Sequence, residues 1–329
     1  MTMTISKTPL RMSFFGGGSD YPAWYLKEGG AVLSTTIDKY CFISCRALPP
    51  FFNTKHRIVW SHIELVNSVS EILHPAIREG LRALQFDDSL GLEIHHQGDL
   101  PARAGMGSSS AFAVGLIKAL LALRKIEIDR YDLALRAIDL EQNWLKENVG
   151  SQDQVASAYG GLNVIRFNPG GGIQVEPLAL DGAIKERLAS HLMLFFTGTS
   201  RLASQIALTV IQSLQEKQAT IRRMHAMVDE GAAALREGRL DDFGEMLHEG
   251  WMLKRGISAS ISNAHIDELY TTARAAGAIG GKLLGAGSSG FMLFFVPPER
   301  RPDVQQALKH YLHVPFHLEE SGSQIIYSS

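Results

Sequence analysis

The run Gly105-Met106-Gly107-Ser108-Ser109-Ser110 leads directly into the apolar stretch Ala111 to Leu123. That junction constrains the chain more than any other feature. The stretch is rich in small residues and reads as a buried helix, Ser109 to Arg124. It is short and carries Lys118, so it is no membrane span. A helix N-terminus presents unpaired N–H groups and the positive end of the helix dipole. Glycines ahead of it let an anion sit against those amides. Serine hydroxyls there can cap the helix, bind phosphate oxygens or ligate Mg2+. An ordinary cap needs one serine, so three after two glycines point to anion binding.

Two more glycine-rich segments flank it. In Pro9-Leu10-Arg11-Met12-Ser13-Phe14-Phe15-Gly16-Gly17-Gly18-Ser19-Asp20-Tyr21 a strand runs into glycines and then an acid. This reads as a tight turn or a close approach of backbone to ligand. The other is Gly280-Gly281-Lys282-Leu283-Leu284-Gly285-Ala286-Gly287-Ser288-Ser289-Gly290, before the strand Phe291–Val296. Gly285 to Gly290 formally match G-x-G-x-x-G, but a dinucleotide fold needs a helix after that motif, and here a strand follows. Leu283 after Lys282, and the earlier glycine spacing, exclude a P-loop. No zinc-protease helix or serine nucleophile elbow is present.

Strands come first along the chain and helices later, an α+β pattern. Ala31–Ile37 and Tyr40–Cys45 read as a hairpin around Asp38-Lys39, with further strands at Arg57–Trp60 and Leu92–His95. Tyr131–Glu147 reads as an amphipathic helix, and long helices fill most of 201–236 and 239–255. A helix at Ile266–Ala276, capped by His265 or Asn263, precedes a last helix at about 301–312 and a strand near 324–327. The 329 residues suit two domains, 1–185 and 186–329.

Lysine plus arginine number 32 against 34 acids, a net charge of −2. No basic excess suggests nucleic acid or a membrane as partner. Phosphate recognition must then come from local placement of cations and amides. Cys41 and Cys45 read as buried apolar thiols. With no signal-peptide pattern, a reducing cytoplasm is the expected location. A homo-oligomer is left open.

In their order and spacing the three glycine-rich segments resemble the signature of the GHMP kinase superfamily, over Pro9 to about Val296. Closer in, P-L-R-M-S-F-F-G-G-G-S-D-Y-P-A-W-Y, A-V-L-S-T-T-I-D-K-Y and G-A-G-S-S-G-F-M-L-F-F resemble the branch that phosphorylates D-glycero-D-manno-heptose 7-phosphate at C1. That branch feeds nucleotide-activated heptose into capsule and other surface polysaccharides. Fucokinase-like and galactokinase-like members share much of the pattern, and some superfamily members are sensors without turnover. The resemblance implies an N-terminal domain like ribosomal protein S5 domain 2, a ferredoxin-like C-terminal domain, and a site in the cleft between them.

It also implies roles. ATP would sit on Gly105, Met106, Gly107, Ser108, Ser109 and Ser110. Asp153, in Gly150-Ser151-Gln152-Asp153-Gln154, would be the base for the anomeric hydroxyl, with Arg11 beside it and the transferred phosphate. Ser109 and Glu141 would ligate Mg2+. Gly17, Gly18, Ser19 and Asp20 would meet the sugar, with Tyr21 and Trp24 either lining that pocket or lying in the core. Gly285 and Gly287 would cover nucleotide or acceptor, and Lys282 is given no role. Arg201, and Lys254 with Arg255 before Gly256, are the candidates for the phosphate that the heptose itself carries. Arg103 would face nucleotide or solvent, and Trp60 and Ser61 are placed near adenine by strand position alone.

Overall fold

The computed structural model describes residues 3–102, 104–198 and 203–329. Its first sheet is organised by one strand. β2 (Gly30–Ala47) is 18 residues long, about 60 Å at the usual rise of a strand. One edge pairs with β1 (Met3–Phe15) from Leu33 to Arg46. The other edge takes three partners in succession. β6 (Asn163–Phe167) pairs at Gly30–Ser34, β12 (Leu318–Glu319) at Thr36 and Ile37, and β5 (Leu92–Gly98) at Cys41–Ala47. β3 (His56–Val59) and β4 (Ile63–Val66) extend the sheet beyond β5, β7 (Ile173–Pro177) pairs with β6, and β13 (Gln324–Ser328) closes the far edge on β1.

Asp38 and Lys39 therefore do not form the expected hairpin turn. Pro9 pairs with Tyr40 and Leu10 with Ile37, so the two residues bulge from a continuous strand. Pro9 has no N–H to give the ladder there. Asp38 instead receives the returning C-terminal segment: its N–H donates to the His317 carbonyl at 3.0 Å, and Oδ1 accepts from His317 N–H at 2.9 Å.

α1 (Pro22–Glu28) joins β1 to β2. α3 (Ser108–Leu123) and α5 (Gln152–Tyr159) pack on the sheet, with α2 (Pro75–Ala83) and α4 (Arg130–Asp139) packed against those helices. α3 is apolar all round, as a helix buried on every side must be. It lies close on β1, where Thr4 and Ser6 hydroxyls donate to its Ala119 and Gly115 carbonyls at 2.9 and 2.8 Å.

The expected helix Tyr131–Glu147 is interrupted. α4 ends at Asp139, and Leu140–Trp144 wind a π-helical turn. Asp139 staples the widened turn from outside, accepting from Asn143 Nδ2 at 2.7 Å and Trp144 Nε1 at 3.0 Å.

A second, four-stranded antiparallel sheet runs β11-β8-β10-β9, with β8 (Leu192–Phe196), β9 (Gly280–Leu283), β10 (Phe291–Phe295) and β11 (Leu312–His313). α6 (Gly182–His191) leads into it, and residue 185 falls within that helix. α7 (Ala203–Ser213), α8 (Gln218–Arg236), α9 (Leu240–Arg255), α10 (Ala264–Ala275) and α11 (Arg301–Ala307) complete this half. Asn263, not His265, caps α10, its Oδ1 accepting from Ile266 N–H at 3.1 Å. The final helix stops at Ala307, short of 312.

The halves share one apolar core. Phe243 of α9 meets Phe14 and Phe15 edge-on, centroids 5.3 and 5.1 Å apart, and Phe295 of β10 at 5.9 Å. Cys41 and Cys45 are buried and free; burial pushes the Cys41 thiol up to about 12. Among the described residues no helix is long and apolar enough to cross a membrane.

Candidate active site

The end of β1 carries Arg11 into the junction between the two halves. Its guanidinium grips Asp153 with both prongs, Nε to Oδ1 and Nη2 to Oδ2, each at 2.7 Å. Nη1 donates to the Gly105 carbonyl at 2.8 Å, and the Arg11 backbone N–H reaches the Met106 carbonyl at 3.2 Å. Only arginine offers this planar fork. One side chain thus fixes Asp153, on the first turn of α5, against the glycine–serine loop.

Gly107 is the N-cap of α3 at φ +72°, a left-handed conformation in which glycine is least strained, and it has no side chain to cap the helix. A Cβ on it would stand 3.2 Å from Asp153 Oδ2 and 3.3 Å from Arg11 Cγ. The helix N-terminus therefore opens beside the Arg11–Asp153 pair. Ser109 is exposed and Ser110 buried.

The π-helical turn delivers Glu141 to the same place. Its Oε2 accepts from Ser110 Oγ and from Gln154 Nε2, both at 2.6 Å, and the Ser109 hydroxyl also bonds the carboxylate. Burial raises Glu141 to about 7; the Ser110, Ser109 and Gln154 hydrogen bonds oppose the rise, and the negative charge of Asp153 adds to it. Ser109 and Glu141 are brought together as expected, with Ser110 as an additional partner. Hard oxygen donors suit Mg2+. Among the described residues no three His, Cys, Asp or Glu side chains converge on a metal position, so a Mg2+ here would draw its remaining ligands from phosphate and water.

Asp20 lies on the other side of Asp153. It is 2% exposed, with Oδ1 accepting from Gly18 N–H and Oδ2 from Gln152 Nε2, both at 2.9 Å. Burial lifts its carboxyl above the ordinary range, Asp153 adds to this, and those two hydrogen bonds oppose it. Gly150 makes room for it: a Cβ there would fall 1.9 Å from Oδ2. Both oxygens are thus engaged, and an acceptor hydroxyl would share them. Gly17 has open space, nothing closer than 3.8 Å to its Cβ position, and Gly18 turns at φ +102°. Ser19 points elsewhere: it is fully buried, and its hydroxyl serves the Gly16 and Ala31 carbonyls at 2.8 and 2.9 Å. Trp24 belongs to the core, and Tyr21 is half-buried.

The third glycine segment meets the glycine–serine loop directly. A Cβ on Gly285 would lie 2.3 Å from Gly105 Cα, and one on Gly287 would lie 2.8 Å from Ile261 Cα. These glycines permit backbone-to-backbone packing, with Gly285 behind the Gly105 turn and Gly287 against Ile261. Lys254 donates to the Leu283 and Gly285 carbonyls. Lys282 donates to the Phe14 carbonyl at 2.8 Å. Arg201 and Arg103 lie outside the described residues.

Sequence reasoning did not assign Gln152, Gln154 or Ser110 as a partner of Glu141. The two glutamines flank Asp153, and residues two apart on a helix face different ways. One reaches Asp20 and the other Glu141, so α5 links three carboxylates. Their polarity in the run Gly150 to Gln154 was the available sign.

Known proteins carry the same plan. The description "GHMP kinases N terminal domain" matches residues 67–161, and "GHMP kinases C terminal" matches 232–313. The chain is 30% identical over 317 residues, 92% of both chains, to D-glycero-alpha-D-manno-heptose 7-phosphate kinase of Campylobacter jejuni. It is 25% identical to galactokinase of Pyrococcus furiosus, over 95% of this chain and 94% of that one. Among solved structures, a D-glycero-D-manno-heptose 1-phosphate kinase from Bacteriodes thetaiotaomicron superposes with a TM-score of 0.75 at 25% identity, covering 99% of each chain. The Lactococcus lactis galactokinase complexed with galactose shares the fold at a TM-score of 0.73 and 17% identity, over 98% of this chain and 95% of that one. With a glycine–serine helix entry, a fork-gripped aspartate and matches to both domains, the chain belongs to the GHMP kinases and is a sugar kinase of that family.

Proposed function

We propose that this protein transfers the γ-phosphoryl group of ATP to the anomeric C1 hydroxyl of D-glycero-D-manno-heptose 7-phosphate, giving the 1,7-bisphosphate. The observation that carries the chemistry is the Arg11–Asp153 fork set beside the bare N-terminus of α3. Phosphoryl transfer is mostly positioning and charge neutralisation. The amides that open α3, with the Ser108–Ser110 hydroxyls, hold phosphate oxygens. Asp153 orients the C1 hydroxyl and takes its proton as the sugar oxygen bonds to the γ-phosphorus and ADP leaves. Arg11 holds that carboxylate in place and puts positive charge next to the transferred group. Ser109, Ser110 and Glu141 would hold Mg2+, which when bound neutralises charge on the phosphates. Toward the base, Trp60 stands edge-on to His74 at 4.9 Å, and His74 stacks on Phe112 of α3 at 4.9 Å, an aromatic wall one turn from the phosphate end.

The heptose 7-phosphate acceptor is supported by the identity to the Campylobacter jejuni relative. The galactokinase likeness favours an unphosphorylated sugar as the second reading. ADP release with Mg-ATP separates them, measured against heptose 7-phosphate, mannose, galactose, fucose and mevalonate, with Asp153→Asn as control. Turnover confined to the heptose phosphate supports the first reading. Preference for a free sugar overturns it and keeps the Asp153 chemistry. ATP binding with no turnover on any acceptor would mark a sensor.

A further inference from the structure

Two lysine amines at this junction have, among the described residues, only main-chain oxygens as hydrogen-bond partners. Lys254, on α9, donates to the Leu283 carbonyl at 3.0 Å and to that of Gly285. Lys282, on β9 and 7% exposed, donates to the Phe14 carbonyl. Among the described residues neither makes an ion pair. They are neighbours, since the residue after Lys282 supplies a carbonyl to Lys254. The charged groups that face them are few. Arg11 from β1 and Asp20 from the following loop act on both, and Lys254 acts on Lys282. Asp153 of α5 occupies the Arg11 fork, and Asp20 is already bonded by Gly18 and Gln152. Burial, reinforced by the neighbouring cations, pushes Lys254 down to about 7 and Lys282 well below its ordinary range.

Apolar side chains of similar length could fill both positions without the desolvation cost of an ammonium. Lysines there give the cleft a charge it can call up when an anion arrives. Lys282 sits on the Asp20 side of the site, and Lys254 lies between it and Gly285, which backs the Gly105 turn. Lys282 holds Phe14, just ahead of the Gly16–Asp20 turn, whereas Glu141 and the α3 N-terminus adjoin Asp153. Lys282 thereby directs the pair toward the acceptor's anion.

We propose that Lys254 and Lys282 together seat the phosphate carried by the acceptor sugar, and that the pair takes up a proton from solvent as this dianion binds. The proposal rests on the acceptor being a sugar phosphate. It joins Lys282 to Lys254 as the pair that would distinguish such an acceptor from a free sugar, and adds a coupling between recognition and protonation. A phosphate monoester has its second pKa near 6, so at about pH 8 the ligand arrives as a dianion, and any proton gained resides on the protein.

Titration calorimetry of the full chain at about pH 8, in two buffers of different ionisation enthalpy, reads the proton count directly. The ligands are heptose 7-phosphate, unphosphorylated heptose, and Mg2+ with a non-hydrolysable ATP analogue. The expected result is uptake of about one proton with heptose 7-phosphate and none with the other two. Lys254→Met should abolish the uptake and weaken heptose 7-phosphate by at least about tenfold, without weakening the free heptose. Lys282→Met should act in the same direction. Lys254→Arg, permanently charged, should keep the affinity and lose the uptake, a separation that a purely structural lysine would not produce. Uptake that accompanies the nucleotide analogue instead would overturn the seat, as would unchanged binding and proton count in Lys254→Met. If the unaltered protein neither binds nor phosphorylates heptose 7-phosphate, the acceptor reading itself fails. If it does both while Lys254→Met behaves identically, only the seat fails.

Discussion

Gly105 and Gly285 meet back to back. A methyl group on Gly285 would lie 2.3 Å from the Cα of Gly105, and one on Gly105 would lie 2.3 Å from the Leu284 carbonyl oxygen. Both residues have positive φ, +82° and +75°. The loop that would hold the nucleotide phosphates is thus buttressed by the other half of the molecule, at a spacing only two glycines allow. Gly285→Ala should combine left-handed strain of about 1–2 kcal/mol with a backbone clash that neither loop can relieve by a rotamer change. We expect a melting temperature lower by several degrees and at least about a tenfold loss in kcat/KM for ATP, larger than the stability loss alone would give. Thermal unfolding and ATP-dependent kinetics check this; an unaltered KM for ATP in a folded variant would argue against the buttress.

Asp153→Asn keeps the shape and one hydrogen-bonding oxygen but removes the group that accepts the proton. The expected loss in kcat is about 10²–10⁴-fold, with ATP affinity changed only a few-fold. Equilibrium nucleotide binding beside steady-state turnover separates the two effects. Comparable losses in both would assign Asp153 to holding the loop rather than to chemistry.

Glu141 predicts an unusual pH dependence of stability. Its folded-state pKa, about 7, lies above the unfolded value of 4.5. The unfolded chain therefore gives up this proton first as pH rises. Stability linked to Glu141 is intact below about pH 4.5 and is lost progressively up to about pH 7. Glu141→Gln cannot ionise. It should be more stable than the parent at pH 8, by up to about 3 kcal/mol before its altered hydrogen bonds are counted, and the advantage should vanish near pH 4. The same substitution should abolish Mg2+-dependent tightening of ATP binding. Denaturant melts at both pH values decide the first point, since a variant less stable at pH 8 would contradict the burial argument.

Gln152→Leu removes a donor from the buried Asp20 carboxylate. Leaving that oxygen unsatisfied should cost about 1–3 kcal/mol of stability. With Asp20 meeting the acceptor sugar as the resemblance implies, the KM for the sugar should rise severalfold while that for ATP stays close to the parent value. Steady-state kinetics with each substrate varied in turn tests this; a rise confined to ATP would place Gln152 with the nucleotide instead.

Much of the site was readable along the chain because its requirements are local. Gly107 before three serines states a helix entry open to an anion, and the backbone conformation it adopts is one glycine prefers. The Arg11 and Asp153 positions came with the pattern that surrounds them. The long β2 strand was misread because Asp38-Lys39 has the composition of a turn, whereas the bulge depends on Pro9 across the ladder and on His317 from the far end of the chain. The π-helical turn was invisible for a similar reason. Asp139 staples it locally, but what holds Glu141 inside is Ser110 and Gln154, contacts that exist only after α3 and α5 have packed.

The sequence by itself determined the alternation of elements, the three glycine-rich segments, and the presence of a carboxylate, an arginine and hard oxygen donors. Those properties belong to short stretches, where propensity, dipole and backbone freedom act without help. Tertiary structure alone decided which donors meet which acceptors. It set Gln152 on Asp20 and Gln154 on Glu141, pressed Gly285 against Gly105, and gave both lysines carbonyl partners in place of carboxylates. Each of those pairs joins residues far apart in the chain or on separate elements. Their chemistry follows from burial and distance, which no stretch of sequence contains until the sheets and helices have closed around it.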